Sequence, residues 1–271
     1  MAANYENVKQ QGFSLLELLI VVAILSILMA AVFNTLHDGL KKYKAEEARL
    51  NVTQESREFL DQIVRDLHSV GYPNLRMYNA GVLGATAQNS TGLAVGLVAV
   101  SATDIWFEGD VDDSGVVQSI HYTLQADANG NCPCTIRRSA APKQPGSPSQ
   151  VPPQLLSYNT QLQNVLNSVG GAGAYAIAGN TVFQGGSAPV SNDTLYATYK
   201  SAPVFSYFGQ SGNAIAVPSD LQGSNLATGQ AAIANVRLIT IVLNLLSADQ
   251  DLQTKLRLSV SMRATVKLNN I

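Results

Sequence analysis

The stretch that decides the fold is GFSLLELLIVVAILSILMAAVF, which runs from Gly12 to Phe33. Between Phe13 and Phe33 the one charged residue is Glu17. At about 1.5 Å per residue, a helix of this length rises roughly 30 Å, which matches the hydrocarbon core of a bilayer. A buried helix of a soluble domain seldom stays apolar on every face for so long. We therefore predict a membrane segment over residues 13–33.

Two simple explanations of this segment fit poorly. A secretory signal peptide has a shorter apolar run and a small-x-small cleavage site, which Leu28-Met29-Ala30-Ala31 does not offer. A plain membrane anchor leaves Glu17 without a partner, and a carboxylate deep in hydrocarbon costs about 2.5–3.5 kcal/mol on insertion scales. A cut after Gly12 would supply a partner, because the new amine on Phe13 would lie one helical turn from Glu17. The carboxylate would also lie near the positive end of the helix dipole.

The string from Gly12 to Leu18 resembles the cleavage and methylation motif of type IV prepilins and type II secretion pseudopilins. The resemblance implies that a prepilin peptidase removes the leader, residues 1–12, and N-methylates Phe13. It also implies that Glu17, at the fifth mature position, acts in assembly by neutralising the amine of an adjacent subunit. The glycine before the cut and the aromatic residue after it both match the motif.

The charges around the apolar segment conflict with the orientation that the resemblance implies, in which the globular domain lies outside the cytoplasm. Lys41, Lys42, Lys44 and Arg49 follow the segment, whereas Lys9 precedes it. The positive-inside rule alone would place the carboxyl side in the cytoplasm. The resemblance implies the opposite orientation, and we expect it to prevail. The expected location is the inner membrane, with a single pass and the globular domain outside the cytoplasm, followed by transfer to the pilus at the cell surface.

A single long helix is predicted over residues 13–72, because apolar residues continue at helical spacing and no proline interrupts them. The apolar stripe comprises Leu60, Ile63, Val64, Leu67 and Gly71, with Glu58, Asp61, Arg65 and Asp66 on the other side. Gly71-Tyr72-Pro73 is typical of a helix end. The segment 55–72 resembles the end of the first helix in PilW and PulJ-type minor pilins, where an Asp-Leu pair precedes a Gly-Tyr ending.

A β-rich domain is predicted over residues 73–271, which gives an α+β, pilin-like fold with an antiparallel sheet and long loops. Asp104–Glu108 and Val116–Leu124 are predicted to form a hairpin, and Asn235–Leu246 is predicted to pair with Leu256–Leu268. The last of these segments alternates cleanly. One face comprises Leu256, Leu258, Val260, Met262, Ala264, Val266 and Leu268, and the other comprises Arg257, Ser259, Ser261, Arg263, Thr265 and Lys267. The regions 138–154 and 170–191 are rich in Pro, Ser, Gly and Ala and are expected to be exposed loops.

The composition excludes several functional classes. The chain has 271 residues, 46% of them hydrophobic, with 17 basic against 19 acidic side chains and a net charge of −2. This balance gives no excess of positive charge of the kind that binds nucleic acid. The apolar fraction also argues against disorder, because it is ample for a core.

Two short motifs could carry chemistry. Asp110, Asp112 and Ser114, followed by Gly115, place oxygen atoms at alternate positions, as in the first half of a calcium loop. The alternative is a polar hairpin turn that uses the same residues for their backbone preferences. Cys132 and Cys134 are too close together for a zinc site. They are predicted either to form a small disulfide or to remain free thiols.

No arrangement in the sequence indicates an enzyme, and calcium is the one candidate cofactor. The leading hypothesis is a minor pilin that primes or caps a type IV pilus and serves adhesion, motility or DNA uptake. Its expected partners are other pilins through the N-terminal helix, prepilin peptidase, the inner membrane and the pilus assembly platform. The nearest alternative is a J-type pseudopilin of a type II secretion system. A rival of another class is a membrane-anchored binding protein or enzyme that does not assemble.

Overall fold

The computed structural model describes most of the chain between residues 14 and 269. The described residues are 14–74, 90–145, 157–167, 182–183, 189–190, 195–199, 202–217, 219–220, 232–251 and 256–269. The chain divides into two compact units, Met1–Glu46 and Glu47–Ile271. Helix α1, Leu15–His68, contributes residues to both units. The sheet lies in the second unit, which is therefore the part with a conventional core.

One large antiparallel sheet dominates the second unit. The strands in the described part of the chain are β1 (Leu97–Val100), β2 (Asp104–Gly109), β3 (Gln118–Gln125), β4 (Cys134–Pro142), β5 (Asn159–Val165), β6 (Val182–Phe183), β7 (Pro189–Val190), β8 (Phe205–Phe208), β9 (Ser219–Asp220), β10 (Leu238–Gln250) and β11 (Arg257–Lys267). Their order in the sheet is β11-β10-β5-β4-β3-β2-β1-β9, and β8 also pairs with β10. Strands β6 and β7 form a separate ladder. A long helix with an antiparallel sheet confirms the predicted α+β class.

Both predicted strand pairs are present. Strands β2 and β3 pair with Ile105 opposite Tyr122 and Phe107 opposite Ile120. Strands β10 and β11 pair in unbroken register from Leu238 opposite Lys267 to Leu246 opposite Ser259. Along β11 the alternation is as predicted, but in the strand itself only Val266 is fully buried, and the other apolar side chains are half-buried. The reason is position, since β11 is the last strand of the sheet and has a neighbour on one side among the described strands.

The predicted loop over residues 138–154 is wrong at its start. Strand β4 continues to Pro142 and pairs with β3 from Thr135 to Pro142, with Arg138 opposite Tyr122. The Ser-Ala-Ala-Pro composition has low strand propensity, but pairing with a central strand outweighs that preference. In the region 170–191, Val182–Phe183 and Pro189–Val190 form the short β6–β7 ladder. The rest of that region lies outside the described residues.

Within the second unit, helix α1 packs on the sheet through an apolar stripe that includes the predicted Leu60, Ile63 and Leu67. Its buried apolar residues are Val52, Phe59, Leu60, Ile63 and Leu67. These side chains share one core with the inner face of the sheet, including Phe107, Ile120 and Tyr122. The Phe59 and Tyr122 rings meet edge to face, with centroids 6.0 Å apart. Full burial of each large apolar side chain contributes about 1.5–3 kcal/mol, so this stripe fixes residues 47–68 on the sheet.

Contacts with strand β2 fix the backbone that follows the end of helix α1. The helix ends at His68, where the Ser69 hydroxyl donates to the Asp66 carbonyl oxygen over 2.7 Å. Gly71 has a φ of 76°, a conformation that side chains disfavour. Its N–H donates to the Glu108 carbonyl oxygen over 2.9 Å. A Cβ atom at Gly109 would collide with the Ser69 backbone, so glycine is required there as well.

A buried asparagine completes the sheet where β5 and β8 both approach β10. The Asn167 side-chain nitrogen donates to the carbonyl oxygens of Ala202 (3.1 Å), Pro203 (3.3 Å) and Val242 (3.2 Å). Its oxygen accepts from the Asn244 N–H over 2.8 Å. The side chain therefore satisfies backbone groups that the diverging strands leave unpaired.

Replacing Asn167 with alanine is expected to lower the free energy of unfolding by about 2–4 kcal/mol, because buried donors and acceptors lose their partner. Urea unfolding followed by the fluorescence of Trp106, the one tryptophan of the chain, measures this change. The matched control is Asn159→Ala, an exposed position on β5, which should change the unfolding free energy by less than about 0.5 kcal/mol. Equal effects of the two substitutions would contradict the assigned role.

Candidate functional site

The amino-terminal part of helix α1 is an uncovered apolar surface. Every residue from Ser14 to Leu40 is exposed in the structure. The exposed fractions of the large apolar side chains range from 49% for Ile20 and Met29 to 83% for Leu15. The helix is long and apolar enough to cross a membrane. Exposure of such a large apolar surface to water is unfavourable, so lipid or other apolar helices must cover it.

Glu17 is the one charged residue between Ser14 and Phe33, and it lies in the first turn of helix α1. The backbone N–H groups of Glu17 and Leu18 donate to the Ser14 carbonyl oxygen over 3.0 and 3.1 Å, so the helix begins directly after Ser14. Among the side chains that the structure describes, none forms an ion pair with Glu17. A carboxylate at the start of a helix is favoured by the dipole, but in hydrocarbon it still needs a cation.

Residues 7–33 match the prokaryotic N-terminal methylation motif. The matched segment contains Gly12, Phe13 and Glu17, and it supports a type IV pilin-like or pseudopilin protein. Together with the apolar helix, it indicates a membrane-anchored, pilus-associated chain with pilin-type partners and prepilin peptidase processing. Proteins with this motif are structural subunits rather than enzymes. Comparisons with curated proteins and with solved structures gave no match.

The predicted cleavage point lies outside the described residues. Gly12 and Phe13 precede Ser14, where the structural description begins. Cleavage between them and N-methylation of Phe13 stay predictions, as does the assembly role of Glu17.

The loop after β2 uses its acidic residues for its own backbone. The two Asp110 carboxylate oxygens accept the N–H groups of Ser114 (3.1 Å) and Gly115 (2.8 Å). One Asp112 oxygen accepts from the Ser114 N–H over 3.3 Å, and the other accepts from the Gln118 side chain over 2.8 Å. Within the described ranges no group of three or more His, Cys, Asp or Glu side chains could hold a metal ion. This geometry favours the turn interpretation, and calcium binding at Asp110, Asp112 and Ser114 stays a prediction.

Cys132 and Cys134 are joined by a disulfide in the structure. Both residues are buried, with 4% and 0% of their surface exposed. Cys134 is the first residue of β4, opposite Val165 of β5. The bond therefore lies inside the core of the sheet domain, away from any surface where it could exchange with another thiol.

A buried polar cluster joins helix α1 to the sheet. Its central residue is Asp66, and the position predicted for this residue is wrong. Asp66 was assigned to the exposed face of the helix, but only 8% of it is exposed. Its carboxylate accepts from the Tyr122 hydroxyl over 2.6 Å and from the Arg138 guanidinium over 2.9 Å. Burial and the Asp66 carboxylate raise the pKa of Tyr122 well above its ordinary value, so the hydroxyl remains a donor. The spacing of Asp66 from Phe59 and Ile63 could have indicated burial, since seven and three residues separate positions on one helix face.

A second buried ion pair lies on the opposite side of the sheet. The Lys143 ammonium lies 2.7 Å from a Glu108 carboxylate oxygen, and both side chains are 0% exposed. Lys143 also donates to the Leu93 carbonyl oxygen over 2.7 Å, and the Val95 N–H donates to Glu108 over 2.9 Å. Burial lowers the pKa of Lys143, and the charge of Glu108 opposes this effect. The pair links β2, the end of β4 and the segment 93–95, and no sequence pattern indicated it.

A third polar cluster is centred on His121, on strand β3. One ring nitrogen shares a hydrogen bond with the Tyr158 hydroxyl over 2.7 Å, and the other lies 3.5 Å from the Asp104 carboxylate. Burial alone would raise the pKa of Asp104. Hydrogen bonds from His121, Thr123 and Thr103 outweigh burial, so that this pKa is lowered.

The lowered pKa of Asp104 gives a pH-dependent contribution to stability. This contribution is complete above the unfolded-state pKa, about 3.9, and is lost as the pH falls through the lower folded-state pKa. The variant Asp104→Asn should therefore be less stable than the wild type at neutral pH and show a shallower loss of stability below about pH 4. Urea unfolding at neutral and acid pH measures both effects, with Asp61→Asn on the exposed face of helix α1 as the charge-matched control. Parallel pH curves for wild type and Asp104→Asn would contradict this role.

Proposed function

We propose that this chain is a minor pilin of a type IV pilus, which primes assembly or lies near the tip of the fibre. The observation that carries the proposal is a prepilin motif at the start of helix α1, where every residue from Ser14 to Leu40 is exposed. The likeness of residues 55–72 to the first-helix end of PilW and PulJ-type pilins supports the minor-pilin assignment. Adhesion, motility or DNA uptake would then be the processes that the fibre serves.

The chain would act first in the inner membrane and then in the fibre. Prepilin peptidase would remove residues 1–12 and methylate the new amine of Phe13. The apolar segment of helix α1 would leave lipid and pack against the corresponding helices of other pilins. Glu17 would neutralise the terminal amine of an adjacent subunit, because an unpaired carboxylate and an unpaired amine are both costly in an apolar environment. This pairing would set the position of the subunit along the fibre axis.

A J-type pseudopilin of a type II secretion system is the second candidate, because the methylation motif is shared by both classes. Deletion of the gene in its native host separates the two. Loss of pili with normal protein secretion supports the pilus, and loss of secretion with normal pili supports the pseudopilin. Normal pili and normal secretion would leave the third class, a membrane-anchored protein that does not assemble.

Glu17→Ala tests the assembly role directly. We expect the variant to be cleaved after Gly12 like the wild type. Its amount in sheared fibres should fall by at least about tenfold, since losing an ion pair in hydrocarbon costs more than about 1.4 kcal/mol. Immunoblots of membrane and sheared fractions measure both quantities. Glu47→Ala, an exposed glutamate on the same helix, is the control and should assemble normally. Normal incorporation of Glu17→Ala would refute the proposed role of the carboxylate.

A further inference from the structure

Strand β11 presents an open edge of the sheet. It has 11 residues and pairs with β10 alone among the strands that the structure describes. The opposite end of the sheet differs, because its last described strand, β9, has two residues. An edge strand carries unpaired backbone donors and acceptors on its free side, which another strand can pair with.

Two of the usual devices that block an edge, proline and a β-bulge, are missing along most of β11. The strand contains neither proline nor glycine. Its register with β10 is continuous from Lys267 to Ser259, and the irregularity lies beyond, between Leu246 and Gln250 of β10. A regular edge of this length is long enough to accept an added strand, since strands usually have about 5–6 residues.

The apolar side chains of β11 are incompletely covered on the core side. Val260, Met262 and Ala264 are half-buried, whereas the apolar side chains of β10 opposite them are mostly buried. Helix α1 approaches this face through Ser56, whose hydroxyl lies 2.8 Å from the Met262 sulfur. A further strand beside β11 would cover the remaining apolar surface, which is favourable by about 25 cal/mol per Å².

The charge of β11 indicates what kind of strand it would accept. Arg257, Arg263 and Lys267 are its charged residues, and no acidic residue occurs from Leu256 to the end of the chain. Arg263 and Lys267 are exposed and lie four residues apart on one face. Their partners on β10 are Val242 and Leu238, so no cross-strand carboxylate neutralises them.

We propose that the free edge of β11 binds an extended, acidic segment of another protein as an additional strand. Opposite charges on directly paired residues stabilise a sheet, so the segment would carry Asp or Glu four residues apart, opposite Arg263 and Lys267. Apolar residues at alternating positions of the segment would contact Val260, Met262 and Ala264. A second copy of β11 fits less well, because it carries the same cations and no carboxylate that could pair with these two residues. The proposal does not depend on pilus assembly, since it rests on the sheet alone.

The test uses the purified full-length chain in detergent micelles and two labelled nine-residue peptides. Both alternate valine with threonine, and one carries glutamate while the other carries lysine at two positions four residues apart. Fluorescence anisotropy should show at least tenfold tighter binding of the glutamate peptide by the wild type. The double variant Arg263→Glu/Lys267→Glu should reverse this preference, because the lysine peptide then supplies the opposite charges. The control Arg57→Glu/Arg65→Glu makes the same change of net charge on exposed positions of helix α1 and should keep the wild-type preference.

Three results would overturn the proposal. The first is that the folded wild type, checked by circular dichroism, does not bind the glutamate peptide. The second is that the β11 variant and the helix variant show the same preference between the two peptides. The peptide would then bind elsewhere, or the preference would depend only on the net charge of the protein. The third is that the wild type forms a dimer in sedimentation experiments that Arg263→Glu/Lys267→Glu abolishes, which would make a second copy the occupant of the edge.

Discussion

Replacing Lys143 with methionine is expected to lower the free energy of unfolding of the sheet domain by about 3–5 kcal/mol. The substitution leaves the Glu108 carboxylate without its cation at a site where both side chains are 0% exposed. The cost of an uncompensated buried charge exceeds that of the lost packing, because methionine has nearly the same length as the lysine stem. Urea unfolding in detergent, followed by Trp106 fluorescence, measures the change.

The double variant Lys143→Met/Glu108→Gln separates charge from packing. Glutamine keeps an oxygen that can accept the Val95 N–H, now bonded to Glu108 over 2.9 Å, and it carries no charge. The double variant should therefore be more stable than Lys143→Met alone, since replacing both members of a buried pair is often near neutral. A double variant that loses the sum of the two single effects would contradict this account. So would a single variant that loses less than about 1 kcal/mol.

Replacing Gly12 with valine is expected to abolish removal of the leader and, with it, incorporation into fibres. Gly12 has no side chain, and the predicted cut follows it within the segment that matches the methylation motif. Without cleavage, Phe13 has no free amine, so no subunit of the variant can supply a cation to a Glu17 carboxylate. The size of the chain in membrane fractions and its amount in sheared fibres measure the two effects.

The control for this substitution is Gly39→Val, in the exposed part of helix α1. A side chain added at Gly39 meets nothing within 4 Å, so this variant tests the general effect of valine in the helix. It should be cleaved normally. If Gly12→Val is cleaved as efficiently as Gly39→Val, cleavage does not occur after Gly12.

The features predicted correctly from the sequence are those set by local patterns. The apolar run after Gly12 predicted a long helix, and strict alternation from Leu256 to Leu268 predicted a strand with one covered face. Both patterns depend on residues close in sequence, where helix and strand periodicity decide which side chains share a face. The hairpin from Asp104 is of the same kind, since its strands are neighbours in the chain.

The features that the sequence did not predict depend on contacts between distant residues. Asp66 is buried because Arg138, 72 residues away, neutralises it. Glu108 meets Lys143 only because β3 lies between β2 and β4 in the sheet. Asn167 is required at the junction of three strands whose pairing no local pattern reveals. In each case the sequence alone predicts an exposed polar residue, because the partner that stabilises it in the core is distant in the sequence.

Mass spectrometry of the amino terminus, on the chain from its native membrane fraction, tests the central claim most directly. The claim is that this chain is processed as a pilin. It predicts a mature chain that begins at Phe13 and carries a methyl group on the terminal nitrogen. A chain that retains residues 1–12, in cells whose prepilin peptidase is active, would contradict the claim and favour a simple membrane anchor.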